Sequence, residues 1–146
     1  MHVFQNAQEK WWQKPLVLID GEVLPAELAV LQLELRNSEE GVWINSRGLK
    51  PGVSALKQVA GTFQTIRKPL PDAVSRFLAE MYESTDLMKG CPDLVIWNTS
   101  SGKFRFVEVK CPLWDRPSKE QADFIDCVRA RGIEAEIVEW IFEEDR

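Results

Sequence analysis

Histidine is almost missing from this chain: among 146 residues only His2 carries an imidazole. A Ser-His-Asp or Cys-His mechanism therefore has no base in the body of the chain. Zinc sites built on several histidines are disfavoured for the same reason. Cysteine is scarce too. Cys91, Cys111 and Cys127 form an odd set without a C-x-x-C pair, which fits reduced thiols in a cytoplasmic fold better than a disulfide framework. No apolar run approaches the roughly 20 residues that cross a bilayer. The opening residues, MHVFQNAQEKWWQK, lack the basic-then-apolar order of a secretory signal. The expected location is cytoplasmic, either in the producing cell or in a target cell reached without a signal peptide. Hydrolysis in such a chain falls to carboxylates, a lysine and a hard metal ion.

What is present suits a single domain over residues 1–146, with a hydrophobic fraction of 45% and a charged fraction of 28% that argue for a packed core over disorder. The net charge of −5 argues against a polyanionic partner, but its distribution argues back. Between positions 47 and 76, Arg47, Lys50, Lys57, Arg67, Lys68 and Arg76 face one acid, Asp72, whereas residues 134–146 hold six acids and one arginine. Phosphate binding needs a basic face and not a basic average. The plain alternative for the central stretch is a solvated charged surface.

Local patterns outline an α/β domain with a small mixed sheet. Leu16–Ile19 is an apolar run ending at the turn dipeptide Asp20-Gly21. Pro25 opens a helix on which Leu28, Leu31 and Leu35 recur at spacings of three and four, with an exit marked by Asn37-Ser38 and Gly41. Val42–Ile44 reads as a strand. The segment 46–89 is expected to be a basic, helical insert, with a short helix near Val53–Ala60 and a second after Pro71-Asp72. Leu94–Trp97 and Phe104–Lys110 form a hairpin across Asn98–Gly102. Ser118 starts a helix reaching about Arg131, capped by Gly132, and Ala135–Phe142 is the last strand.

Chemistry concentrates at one end of that hairpin. Alternation along a strand puts Phe104, Phe106, Glu108 and Lys110 on one face. A glutamate and a lysine closing an apolar strand suit a site better than a core. Asp93, at the start of the paired strand, folds back beside them. Two converging carboxylates fit Mg²⁺ or Mn²⁺, whose chemistry would lower the pKa of a bound water. Lys110 is placed to orient that water or to meet charge developing on phosphorus. The plain alternative is a surface ion pair worth about 0–1 kcal/mol.

Pro92-Asp93 followed by Glu108-Val-Lys110 resembles the PD-(D/E)xK nuclease signature. The wider run of GCPDLVIWN, FRFVEVK-x-P, Asp115-Arg116, Ser118 and Gln121 is similar to the VRR-NUC family over about residues 90–140. That resemblance implies a restriction-endonuclease-like core and a divalent-metal phosphodiesterase acting on DNA, often branched or splayed. It also implies a metal-site glutamate on the first helix. Glu27 fits best, ahead of Glu34 and Glu40, although an acid there equally suits a helix N-terminus. It further implies that Gln121 points back to the active site, while Ser118-x-x-Gln121 is also a capping box. Arg116 would join the basic insert in gripping phosphates.

Two departures stand out. Cys111 replaces the usual glycine after the lysine, and Leu113-Trp114 lengthens the following loop. Trp114 either stacks on an exposed base or covers the neighbouring helix. Two functional classes follow. The first is a metal-dependent DNA endonuclease, serving repair or acting as an antibacterial toxin with a cognate immunity protein. The second is a binding module that keeps the nuclease fold without cutting.

Overall fold

The computed structural model describes residues 1–44, 51–87 and 89–146. Among them the order is β1 (His2–Trp11), β2 (Lys14–Ile19), β3 (Glu22–Pro25), α1 (Ala26–Glu34), β4 (Glu39–Trp43), β5 (Gly52–Val59), β6 (Thr62–Lys68), α2 (Asp72–Ser84), β7 (Leu94–Asn98), β8 (Phe104–Lys110), α3 (Lys119–Ala130) and β9 (Glu134–Phe142). The strands form one mixed sheet in the order β3-β2-β1-β9-β8-β7-β4-β5-β6. β9 is parallel to both β1 and β8, and the remaining neighbours are antiparallel. The expected α/β class, a mixed sheet flanked by helices, is therefore present.

The sheet is larger than the sequence patterns suggest. The short helix expected near Val53–Ala60 is a strand instead. β5 pairs with β6 through Val59↔Thr62, so Ala60-Gly61 is a two-residue turn, with φ of 51° and 80°. The same left-handed pair closes two other hairpins, at Trp12-Gln13 and at Asp20-Gly21. Such turns match the twist of the strands they join. Gly41 is not a helix exit but a residue of β4, where a β-carbon would fall 2.6 Å from Leu31 of α1. The helical part of the insert stands as expected in α2, and α3 starts and stops where Ser118 and Gly132 place it.

Two cores lie on opposite faces of the sheet. On one face α1 packs against Val17, Leu24, Val53, Val107 and Val109. Its residues 26–31 are all buried, including Glu27, so its stability comes from tertiary packing rather than from a solvated face. On the other face Val74, Leu78 and Met81 of α2 and Phe124 and Val128 of α3 meet Phe106 and Val95. Each such buried aliphatic or phenyl group contributes roughly 1.5–3 kcal/mol of transfer energy. The sheet also curls around α1. Trp11 on β1 stands 6.4 Å from Trp43 on β4 and 6.4 Å from Phe63 on β6, so hairpins far apart in strand order touch.

Candidate active site

Asp93 precedes β7 and is held from two sides. Its carbonyl accepts the Ile44 amide at 2.7 Å, beyond the end of β4, and its Oδ2 accepts the Val109 amide of β8 at 2.9 Å. The register Leu94↔Val107 sets Asp93 against the Glu108–Lys110 end of β8, as the hairpin predicts. Gly90 makes this approach possible. Its φ is +91°, and a β-carbon there would land on the Glu120 carbonyl and 2.8 Å from the Gln121 amide. The turn leading to Asp93 thus rests directly on the first turn of α3.

Glu108 is 1% exposed, and neither of its carboxylate oxygens has a hydrogen-bond donor. Lys110 Nζ stands 3.7 Å from Glu108 Oε1, close enough to attract but too far to donate well. Burial first, and then the adjacent Asp93 carboxylate, push the Glu108 carboxyl up to about 10 against the opposing charge of Lys110. Without a cation, burial and the neighbouring Asp93 favour the protonated form of Glu108. Lys110 is 6% exposed and donates to Asp115 Oδ2 at 3.1 Å. Asp115 is in turn fixed by its amide, which bonds the Cys111 carbonyl at 2.9 Å.

Glu27 is buried at the start of α1, as the resemblance implies, but its Oε1 is occupied by Lys14 Nζ at 2.7 Å. Its second oxygen, Oε2, is buried without a partner. Burial raises the Glu27 carboxyl, Lys14 opposes that shift, and the Asp93 charge adds to it. Glu27 thus lies within electrostatic range of Asp93. Among the described residues, however, no three Asp, Glu, His or Cys side chains converge tightly enough to ligate one ion. The rivals lie elsewhere. Glu34 faces His2 and the buried Arg105, and Glu40 pairs with Lys68 at 3.4 Å.

A small cavity of about 100 Å³ adjoins this cluster, lined by Lys14, Glu27, Val109, Cys111, Trp114 and Asp115 among others. Cys111 is buried in the α1-side core, and burial raises its thiol. Trp114 packs on Trp140 and Phe142, each at 5.5 Å between ring centres, yet stays 54% exposed. It covers the end of β9 and not the helix. The Gln121 side-chain oxygen accepts the Ser118 backbone N–H at 2.9 Å, while the Gln121 backbone N–H donates to Ser118 Oγ at 3.1 Å. The side chain completes the capping box, and the Gln121 backbone N–H lies against the Gly90 turn.

Of the basic residues expected to meet phosphates, Arg116 lines a groove with Lys110, Pro112 and Asp115. Lys57 and Arg67 are exposed on the β5–β6 hairpin, and Lys68 leans on Glu40. Arg47 and Lys50 lie outside the described residues. Lys14 and Asp115 carry roles that residue patterns did not assign. Asp115 had a signal, its place beside Arg116, whereas Lys14 reaches Glu27 only through the β2–β3–α1 connection.

Asp93 and Glu108 fit a hard divalent ion chemically: both offer oxygen donors, and the orphaned Glu108 oxygens lack any other counter-charge than Lys110.

The VRR-NUC domain model matches residues 31–139. Over 48 residues the chain is 48% identical to Fanconi-associated nuclease 1 of Danio rerio, covering 33% of this chain and 5% of that protein. Over 84 residues it is 33% identical to the Caenorhabditis briggsae homolog, covering 58% of this chain and 9% of the other. The chain thus spans less than a tenth of these relatives' length. A crystal structure of paFAN1 bound to 2-nucleotide 5′-flap DNA with a gap aligns at a TM-score of 0.40 and 22% identity, over 49% of this chain and 13% of that one. The family match takes in Asp93, Glu108 and Lys110 and most of the chain around them. This chain belongs to the VRR-NUC domain family.

Proposed function

We propose that the chain is a divalent-metal-dependent DNA endonuclease acting on branched or splayed DNA. The observation that carries this reading is the buried Glu108 carboxyl, without a donor for either oxygen, set between Asp93 and Lys110. Burying an acid this way costs stability and has no value to the fold, which is the usual mark of a functional group. Asp93 and Glu108 would hold Mg²⁺ or Mn²⁺, with Glu27 as the third carboxylate of the region. A bound ion would supply Lewis acidity and a water of lowered pKa.

The chain's own groups do the positioning. Asp93 is fixed by the Val109 amide on Oδ2, so its other oxygen keeps one direction. Lys110, drawn between Glu108 and Asp115, presents a cation where negative charge develops on the phosphoryl group. Arg116, in the groove that runs past Lys110, is placed to hold a neighbouring phosphate. Cys111 gives no support to a binding-only module, because it is 4% exposed and packs in the α1-side core. The names of the curated relatives favour a repair-type role over a toxin. A cognate immunity protein belongs only to the toxin reading.

The test is cleavage of end-labelled splayed-arm, blunt-duplex and single-stranded DNA with Mg²⁺, Mn²⁺ or EDTA. Cutting confined to the metal-containing reactions and fastest on the splayed arm is expected. Equal cutting in EDTA would overturn the metal dependence, and no cutting on any DNA with either metal would overturn the enzyme.

A further inference from the structure

The β1–β2 hairpin ends in a residue that the fold does not use. Trp12 is 86% exposed, and its φ is 52°, with Gln13 following at 65°. Both residues of such a turn need a left-handed backbone, for which Asn-Gly is the favoured pair. A bulky aromatic there is strained and gains no burial in return. Folding alone favours a small polar residue at this position.

The tip is nevertheless held firmly. Trp11, its neighbour, is wedged between Trp43 and Phe63, each at 6.4 Å between ring centres. On the other side of the turn, Lys14 stands 2.7 Å from Glu27 and 5.7 Å from the centre of the Trp43 ring. One residue, Gln13, separates Trp12 from Lys14, a backbone reach of at most about 7 Å. The hairpin tip that carries the indole therefore lies within a few nucleotides' reach of Glu27. Lysines flank the turn in sequence: Lys10, exposed beside the exposed Glu9, precedes it, and Lys14 follows it. A solvent-facing aromatic on an anchored hairpin offers the kind of face on which single-strand binders stack a base without reading its sequence.

We propose that Trp12 is a stacking platform for an unpaired nucleobase of the DNA strand presented to the Asp93–Glu108–Lys110 site. This inference rests on the nuclease reading above. Trp12 selects DNA with unpaired bases next to the cut, because a base inside a duplex offers no free face. It is a specificity residue and takes no part in bond breaking.

The experiment uses Trp12→Asn, which suits the left-handed turn and so keeps the hairpin, together with Trp12→Phe. Binding is followed in EDTA with splayed-arm DNA carrying 2-aminopurine in the unpaired arm, and with a blunt duplex. Wild type should quench the 2-aminopurine. Trp12→Asn should lose the quench and bind splayed DNA roughly 10- to 100-fold more weakly, with little change on duplex. Trp12→Phe should retain most of both. Trp12→Asn should also melt no lower than wild type. Equal quenching and affinity for Trp12→Asn on splayed DNA would overturn the proposal while leaving the nuclease reading intact. A wild-type dimer that Trp12→Asn dissociates would assign the indole to a second copy and overturn it as well. Failure of wild type to bind either DNA would remove the nuclease reading, and this proposal with it.

Discussion

Asp93 Oδ2 accepts the backbone N–H of Val109 at 2.9 Å, so the aspartate before one strand is tied to the residue between Glu108 and Lys110 on the next. That bond makes three groups from two strands into one rigid cluster. It also leaves Glu108 with an anionic neighbour and no donor of its own. The cluster is thus arranged for charge chemistry at a cost to the fold, and several measurable consequences come from that cost.

Glu108→Gln should stabilise the metal-free protein. The folded state raises this carboxyl from 4.5 to about 10, so between those values it keeps a proton that the unfolded chain releases. Stability must then fall as pH rises through that window. A glutamine keeps a donor for Asp93 without a titrating proton. Thermal melts in EDTA from pH 5 to 9 should show a higher midpoint for Glu108→Gln, with the gap widening as pH rises. A gain of about 1 kcal/mol corresponds to roughly 2–4 °C in a chain of this size. A gap that closes with rising pH would contradict the assignment.

Gly90→Ala should be severely destabilising, by about 2–4 kcal/mol, since strain at positive φ adds to a collision with the Glu120 carbonyl. Denaturant titration measures it. A loss under 1 kcal/mol would mean that the Gly90 turn does not rest on α3 as described.

Lys14→Met should cost about 1–2 kcal/mol by leaving Glu27 buried beside Asp93 without its cation. That is below the roughly 3–5 kcal/mol of a fully buried pair, because the Lys14 side chain is 39% exposed. Adding Glu27→Gln should recover most of the loss, and a double-mutant cycle in denaturant reads the coupling. Additive losses would show that the pair is not coupled.

Much of this site was legible because its information is local. The β7–β8 hairpin announces itself through apolar alternation on both sides of Asn98–Gly102, and alternation alone puts Glu108 and Lys110 on one face. The insert was harder. Val53, Leu56 and Val59 recur every third residue, which imitates a helix, but they lie on a strand whose partner β6 is bonded in register. β1 alternates weakly and earns its place through parallel pairing with β9, over a hundred residues away. Neither pairing leaves a signal within a short window. Lys14 and Glu27 were unreadable as a pair for the same reason. Gln121 is the opposite case: the family pattern points to the site, whereas the three-residue spacing from Ser118 carries the local answer.

Gln121→Glu should leave both stability and cleavage nearly unchanged, because glutamate also closes a capping box with Ser118. Ser118→Ala should cost about 1 kcal/mol of stability. A large fall in cleavage for Gln121→Glu, with its melting point intact, would return that side chain to the active site.

The most direct measurement is the single-turnover rate of splayed-arm DNA cleavage, with saturating Mn²⁺ and then Mg²⁺, for wild type, Glu108→Gln and Lys110→Met. Circular dichroism melts run alongside show that each variant is folded. Wild type should cut, and both variants should be slower by at least about 100-fold, the scale lost when one preorganised charge is removed from a transition state. Glu108→Gln cutting as fast as wild type would contradict the site built on Asp93, Glu108 and Lys110.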